Sequence, residues 1–339
     1  MQEKVAIFFG GSGFIGSHLS CHFLERNLVT KVICADIAKP NFESLPVEFK
    51  KYFELKKIEY VYCDVREKIA LDLSNVSLVV NLAAIHRVPG HDDSEYFDTN
   101  VKGAKSVCRW VAGLPKAVHF VFTSSISPYG PSEERLVEGS ELKPTTAYGK
   151  SKKIAEKIHV KAFTGSSKFQ NLVILRPGVV FGQGEGGNIT RMIKALKKRY
   201  FIFCGNKNVL KAGIYVKELC LVTEWCLSKV INKSVTVCNL SFSPIPTINA
   251  YVEAILKVLG RKHKVYNLPL SVLIFIAYII NISFRLFGVV QGINPARVKK
   301  IVRSNNITPE YLVQNSYNYK YNLTSALEDW KSHNDELWS

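Results

Sequence analysis

An apolar run that breaks into a cluster of glycines constrains this chain more than any other feature. Val5–Phe9 (VAIFF) runs directly into Gly10, Gly11, Gly13 and Gly16. A buried strand, a tight turn and a helix produce this pattern. Gly10, Gly13 and Gly16 are spaced G-x-x-G-x-x-G, and glycine there permits positive φ and close approach of a ligand to the backbone. The first N–H groups of the helix after the turn, at Phe14 and Ile15, are then free to meet an anion. Taken alone, such a triplet also fits a turn without function, the lesser of the two readings.

The residues beyond the turn narrow the choice. His18, Leu19, Phe23 and Leu24 have helical spacing, and Val32–Asp36 (VICAD) reads as a second strand ending in an acid. Asp36 lies twenty residues beyond Gly16, where a carboxylate accepts from the ribose hydroxyls of a dinucleotide. An acid at that position repels a 2′-phosphate, so the expected cofactor is NAD and not NADP.

Strands and helices continue to alternate. Further strands are expected at 58–67, 78–84, 119–130 and 172–177, with helices at 99–112 and 145–163. The expected fold class is α/β, a doubly wound parallel sheet of the Rossmann type with ligand at the carboxyl ends of its strands. The expected division is a cofactor-binding domain over 1–177 and a smaller substrate-binding part over 178–339. In the latter a basic helix (189–199), a strand–helix pair from 213, a strand at 236–240 and a helix at 247–259 are expected, and one strand and helix return to the sheet.

The C-terminal half is strongly basic. No Asp or Glu occurs from Gly186 to Lys217, where eight Lys and Arg stand, or from Ala254 to Pro309, where nine stand. The net charge of +17 therefore gathers where an anionic partner would bind: nucleic acid, anionic lipid head groups or a phosphorylated substrate. A merely soluble basic surface is the plain alternative. The eight cysteines include no C-x-x-C pair and sit mostly in apolar segments, so they are expected to be reduced, with no metal site. No leader segment is expected before the first strand, which implies a cytoplasmic location, at the inner face of the membrane if lipid is involved. Residues 265–284 carry no charge, and the apolar helix expected at 268–288 reads in three ways: spanning a bilayer, buried in the core, or lying on a membrane face. Bases on both flanks favour the last.

The chemistry lies in Tyr148 and Lys152, four residues apart on one face of the 145–163 helix, with Ser125 at the end of a preceding strand. A phenol titrating near 10 is a poor base at neutral pH. A lysine one turn away favours the phenolate, as does a positively charged nicotinamide, while the serine holds the reacting oxygen.

With these pieces in order, the chain resembles the extended short-chain dehydrogenase/reductases, specifically the NAD-dependent sugar epimerase/dehydratase group. GGSGFIG, Asp36, CDV (Cys63–Val65), NLAA (Asn81–Ala84), Asn100 in NVKG, TSSISPYG, YGKSK and RPGVVFGQG carry the resemblance. It implies Ser125, Tyr148 and Lys152 as catalytic residues. It also implies Asp64, Val65, Ala83 and Asn100 as cofactor contacts beside the glycine turn, and His86 and Ser125 as substrate contacts. Phe9 stands where the family often has threonine. The Asp-Glu pair found beside the catalytic hydroxyl in dehydratases is replaced by Ile126-Ser127, which leaves epimerisation or oxidation of a secondary hydroxyl. LAAIHR, YFDTNVKG, GNITRMIKAL and ARVKKI are similar to bacterial 4-epimerases of polyprenyl-diphosphate-linked N-acetylhexosamine used in surface polysaccharide synthesis. That resemblance implies Asn188 and Arg191 as diphosphate ligands, a 4-keto intermediate, peripheral contact with anionic membrane, a homodimer and no nucleic-acid partner. A soluble UDP-hexose 4-epimerase and a 3β-hydroxysteroid-type dehydrogenase stay open as alternatives.

Overall fold

A parallel sheet of seven strands organises the computed structural model, which describes residues 4–86, 90–229, 233–272 and 303–339. In chain order the strands are β1 (Val5–Phe9), β2 (Lys31–Asp36), β3 (Ile58–Tyr62), β4 (Val76–Asn81), β5 (Val118–Thr123), β6 (Ser132–Leu136), β7 (Phe169–Pro177), β8 (Val179–Phe181), β9 (Ile202–Cys204), β10 (Gly213–Tyr215), β11 (Val235–Leu240), β12 (Tyr266–Leu268) and β13 (Asn305–Ile307). The large sheet runs β11-β7-β5-β4-β1-β2-β3, while β8 pairs with β10, β9 with β12 and β6 with β13. Strand order reverses on either side of β1, between β2 and β4. A doubly wound sheet opens its ligand crevice at such a point, beyond the carboxyl ends of the strands.

β1 shows why the sequence builds a three-layered molecule. All five of its residues are buried. Ala6 and Phe8 face one core with Leu19, Phe23 and Val222; Val5, Ile7 and Phe9 face the other with Val107, Val111 and Ala155. A strand covered on both faces has no polar side to alternate with, so it reads as an unbroken apolar run. Full burial of each phenylalanine contributes about 1.5–3 kcal/mol, and truncating Phe8 to alanine would cost about 3–5 kcal/mol. Phe9 meets Trp110 edge to face at 5.5 Å, which accounts for an aromatic ring at this position.

The helices α1 (Phe14–Glu25), α2 (Val47–Glu54), α3 (Asp93–Phe97), α4 (Gly103–Ala112), α5 (Ala147–Gly165), α6 (Asn188–Lys197), α7 (Val216–Lys229) and α8 (Ile248–Val258) complete the layers. A third core joins α6 and α8 to the C-terminal helix Leu323–Ser332 through Phe181, Ile193, Tyr251 and Trp330. The chain beyond Pro177 therefore has a core of its own, yet it also returns β11 to the large sheet and packs α7 on α1.

Several elements are shorter than their sequence pattern. β4 stops at Asn81, three residues early, because the chain turns to meet the β1 turn: Leu82 N donates to Phe9 O at 2.8 Å. β5 stops at Thr123, and Ser127–Tyr129 forms a 3₁₀ turn carrying Pro128, which supplies no ladder donor. β3 ends at Tyr62, before the Asp64 turn. The helix expected from 99 opens as a π-helical turn, Asp98–Lys102, before α4. The apolar helix expected at 268–288 lies outside the described residues from 273 onward. Among the described residues no helix is long and apolar enough to cross a membrane.

Candidate active site

The glycine turn is closed tightly against the sheet. Gly10 has φ of 77°, and a Cβ there would stand 2.8 Å from the Ala83 nitrogen, so the turn and the loop after β4 fit together only through glycine. Gly13 caps α1 without any side-chain acceptor, which leaves the first-turn donors around Phe14 and Ile15 without a side-chain partner. Gly16 is buried in that first turn. At the end of β2, Asp36 takes Ser12 N–H on Oδ2 and Ala38 N–H on Oδ1, each at 3.1 Å. Burial raises its pKa and these backbone donors oppose the rise. Each oxygen keeps a lone pair for a further hydroxyl. The Ser12 hydroxyl is buried with no partner. An uncapped helix end, an orphaned hydroxyl and a fixed carboxylate fit the pyrophosphate and ribose of a dinucleotide.

The remaining expected cofactor contacts are placed by packing. Arg66 grips Asp64 through Nε and through Nη2 at 2.6 Å, and these hydrogen bonds hold its carboxyl below the usual range. Val65 is buried beneath Gly103 at the start of α4. Asn100, in the π-helical turn, has its amide committed within the protein. Its Oδ1 accepts Ile85 N–H at 2.9 Å, and its Nδ2 donates to Ile85 O and to Ser151 Oγ. It thus ties the loop after β4 to α5, beside Lys152.

The structure brings Ser125, Tyr148 and Lys152 together at the carboxyl edge of β5. Thr146 caps α5 by accepting Gly149 N–H on its hydroxyl. A Cβ at Gly149 would sit 2.6 Å from Ser127 O, so the helix approaches the β5 turn as closely as backbone allows. That approach sets Tyr148 against Ser125. Burial pushes the Tyr148 phenol up to about 12, and its hydrogen bond with Ser125 works against the rise. The Ser125 hydroxyl donates to Ser127 Oγ at 3.0 Å and accepts Ser127 N–H. Lys152 is buried, donates to Thr123 O at 2.8 Å and stands 4.9 Å over the Phe122 ring. Burial brings its pKa down to about 7, while Glu156 acts to raise it. Of the two positive charges expected to favour the phenolate, Lys152 is itself pushed toward its neutral form by burial, and burial holds the free phenol protonated, so the weight of that expectation falls on the bound nicotinamide.

A buried network behind these residues escaped the sequence reading. Ser124 donates to Glu156 Oε1 at 2.5 Å, Glu156 pairs with Arg176, and Arg176 Nη1 reaches Tyr129 OH at 2.6 Å. Tyr129 in turn donates to Asn239 Oδ1 at 2.9 Å on β11. On the other side His159 stacks on Phe122 at 3.9 Å and meets Asn81 Nδ2 at 3.2 Å. Two signals were available: Glu156 continues the Tyr148–Lys152 spacing by one more turn, and Arg176 is a lone charge in an apolar strand.

The other expected substrate residues, His86, Asn188 and Arg191, belong to different elements of the chain. His86 lies exposed at the end of the loop after β4. Asn188 and Arg191 open α6 and pair with each other, Nη2 to Oδ1, at 2.7 Å. The α6 N-terminus already holds a carboxylate: Glu185 Oε2 accepts Thr190 N–H at 2.9 Å. His18 Nε2 donates to Gln183 O at 2.8 Å, joining this loop to α1, and burial brings His18 down to about 4.

Residues 7–262 match the 3-beta hydroxysteroid dehydrogenase/isomerase family. A relative from Escherichia coli O157:H7, N-acetyl-alpha-D-glucosaminyl-diphospho-ditrans,octacis-undecaprenol 4-epimerase, is 27% identical over 332 residues, 97% of this chain and 94% of its own. MoeE5, solved with UDP-glucuronic acid and NAD, aligns with a TM-score of 0.70 at 20% identity over 96% of this chain and 98% of that one. The UDP-N-acetylglucosamine 4-epimerase of Methanobrevibacter ruminantium M1, solved with UDP-N-acetylmuramic acid, aligns at 0.66 and 24% identity over 79% and 86%. The structural likenesses bear on fold.

Proposed function

The chain belongs to the 3-beta hydroxysteroid dehydrogenase/isomerase family, and from that premise we propose that it is an NAD-dependent sugar 4-epimerase acting on an N-acetylhexosamine carried by a polyprenyl diphosphate. The observation that carries this reading is the near end-to-end match to a 4-epimerase of that substrate class, over a chain that keeps Ser125, Tyr148 and Lys152 in one cluster. The residues that would hold NAD are the turn at Gly10, Gly13, Phe14, Ile15 and Gly16, the Asp36 carboxylate, and the Asp64–Val65 and Ala83 loops. When bound, NAD takes a hydride from the sugar C4 and gives it back, and its positive ring favours the Tyr148 phenolate.

The protein's own groups move the proton. Ser125 holds the 4-hydroxyl oxygen beside Tyr148, and the phenolate takes the hydroxyl proton as C4 is oxidised to a ketone. Lys152, anchored on Thr123 O, supplies positive charge beneath the site. After the keto sugar presents its opposite face, Tyr148 returns the proton to the same oxygen. Atoms and electrons balance without an outside oxidant. Ile126 and Ser127 provide no carboxyl group for eliminating water. Asn188 and Arg191 are assigned to the diphosphate, which requires that their mutual pairing opens.

Two other readings have support of their own. The UDP-sugar relatives favour a nucleotide-linked substrate, and the family's name favours net oxidation of a hydroxysteroid. One experiment separates all three. The purified protein is incubated with lipid-linked and UDP-linked N-acetylglucosamine and N-acetylgalactosamine, and with a 3β-hydroxysteroid plus NAD. Interconversion of the lipid-linked pair is expected. Turnover confined to UDP-sugars, or net NADH from the steroid, would replace the proposal.

A further inference from the structure

The small ribbon formed by β9 and β12 carries an apolar face inside a basic collar. Ile202 pairs with Tyr266 and Cys204 with Leu268 across the parallel ladder, so these four side chains share one face. Tyr266 is 67% exposed and Ile202 37%, and Tyr200, which leads into β9, is 62% exposed. Lys198, Arg199, Lys207, Lys262 and Lys264 are all exposed around this ribbon, and Lys264 Nζ stands 6.0 Å over the Tyr266 ring. No acid occurs in either stretch of sequence, from 186 to 217 or from 254 to 309, and among the described residues none of these five bases is held in an ion pair.

We propose that the exposed face of the β9–β12 ribbon docks the protein on an anionic lipid surface. Charge selects the partner class: a collar of exposed lysine and arginine outside any ion pair among the described residues is complementary to acidic head groups. The side chains inside the collar select lipid over nucleic acid. The tyrosine rings suit the head-group level, and Ile202 and Leu268 beside them, which offer no planar face for a base to stack on, suit insertion below it. The surface depends on the lipid-linked reading for its purpose and on geometry alone for its existence. It would hold the site next to a substrate whose polyprenyl chain stays in the bilayer.

Cys204 makes the test direct, because it is the one cysteine of the eight that is not buried. The full-length protein, labelled there with a polarity-sensitive fluorophore, is mixed with phosphatidylglycerol-containing vesicles, pure phosphatidylcholine vesicles or duplex DNA, and the unlabelled protein is sedimented with the same partners. The expected result is a blue shift and co-sedimentation with the phosphatidylglycerol vesicles alone, weakening as salt is raised. Each of Lys198→Gln, Lys262→Gln and Lys264→Gln should lower the partition coefficient about fivefold. Tyr266→Ser should lower it while leaving its salt dependence unchanged. No binding to anionic vesicles, or binding to DNA that these substitutions abolish, would overturn the proposal. Vesicle binding with no turnover of the lipid-linked sugar would support the surface and refute the substrate.

Discussion

Glu156 holds Arg176 with both carboxylate oxygens, Nε to Oε1 at 2.9 Å and Nη2 to Oε2 at 2.7 Å. Each side chain is only 7% exposed. The pair stands one helical turn beyond Lys152 and receives the hydroxyl of Ser124, the neighbour of Ser125. It connects α5, β5 and β7 next to Ser125 and Lys152.

Removing one member leaves the other charge buried without compensation. Arg176→Ala should cost about 3–5 kcal/mol in a urea unfolding curve. Glu156→Gln keeps the shape and removes the group that raises the Lys152 pKa. The Lys152 limb of the pH–rate curve should then move to lower pH; an unmoved limb would leave Glu156 with a structural role alone.

Tyr148→Phe removes the proton acceptor and preserves the ring that meets Tyr96 at 6.2 Å. Epimerisation should fall about 10²–10⁴-fold with NAD affinity unchanged. Fluorescence titration of NAD and a single-turnover assay measure the two separately.

Two glycines of the turn should respond differently to alanine. Gly10→Ala forces a side chain to positive φ and into the Ala83 backbone, and should lower the melting temperature. At Gly13 a Cβ meets nothing within the protein closer than Gly10 O, at 3.4 Å. Gly13→Ala should fold with near-normal stability and lose NAD affinity, because the methyl occupies the approach of the pyrophosphate.

Asp36 should set cofactor choice through its charge. Asp36→Asn keeps an acceptor for Ser12 N–H and removes the repulsion of a 2′-phosphate. NAD should bind more weakly and NADP measurably more tightly, read as the ratio of the two dissociation constants.

Acid should loosen the fold through two histidines. Burial brings His18 down to about 4 and His159 to about 3, against 6.5 in the unfolded chain. As pH falls below about 6.5 the unfolded chain binds these protons first, so the stability present above that pH is lost progressively toward the folded-state values. The drop in melting temperature between about pH 7 and pH 5 should be smaller for His159→Gln than for the parent protein.

Legibility in the sequence depended on how local each feature is. The β1 turn, Asp36 and the Tyr148–Lys152 spacing were readable because each is a contiguous backbone device: a glycine turn, a strand end or one helical turn. Tyr129 and Asn239, 110 residues apart, meet only because β11 returns to the sheet beside β7, and no local pattern reports that meeting. Arg176 was visible as an anomaly, but its partner was not. The ends of β4 and β5 were misjudged because apolar continuity cannot show where a neighbouring turn pulls the chain out of the sheet.

The amino-acid order alone therefore determined the layered parallel sheet, the glycine turn and the spacing that puts Tyr148 and Lys152 on one helix face. These depend on period, on φ and on spacing within a few residues. Tertiary structure decided which way the proton affinities move. Burial raises the Tyr148 phenol and lowers the Lys152 ammonium, and desolvation is a property of everything packed around a group, which comes from the whole chain.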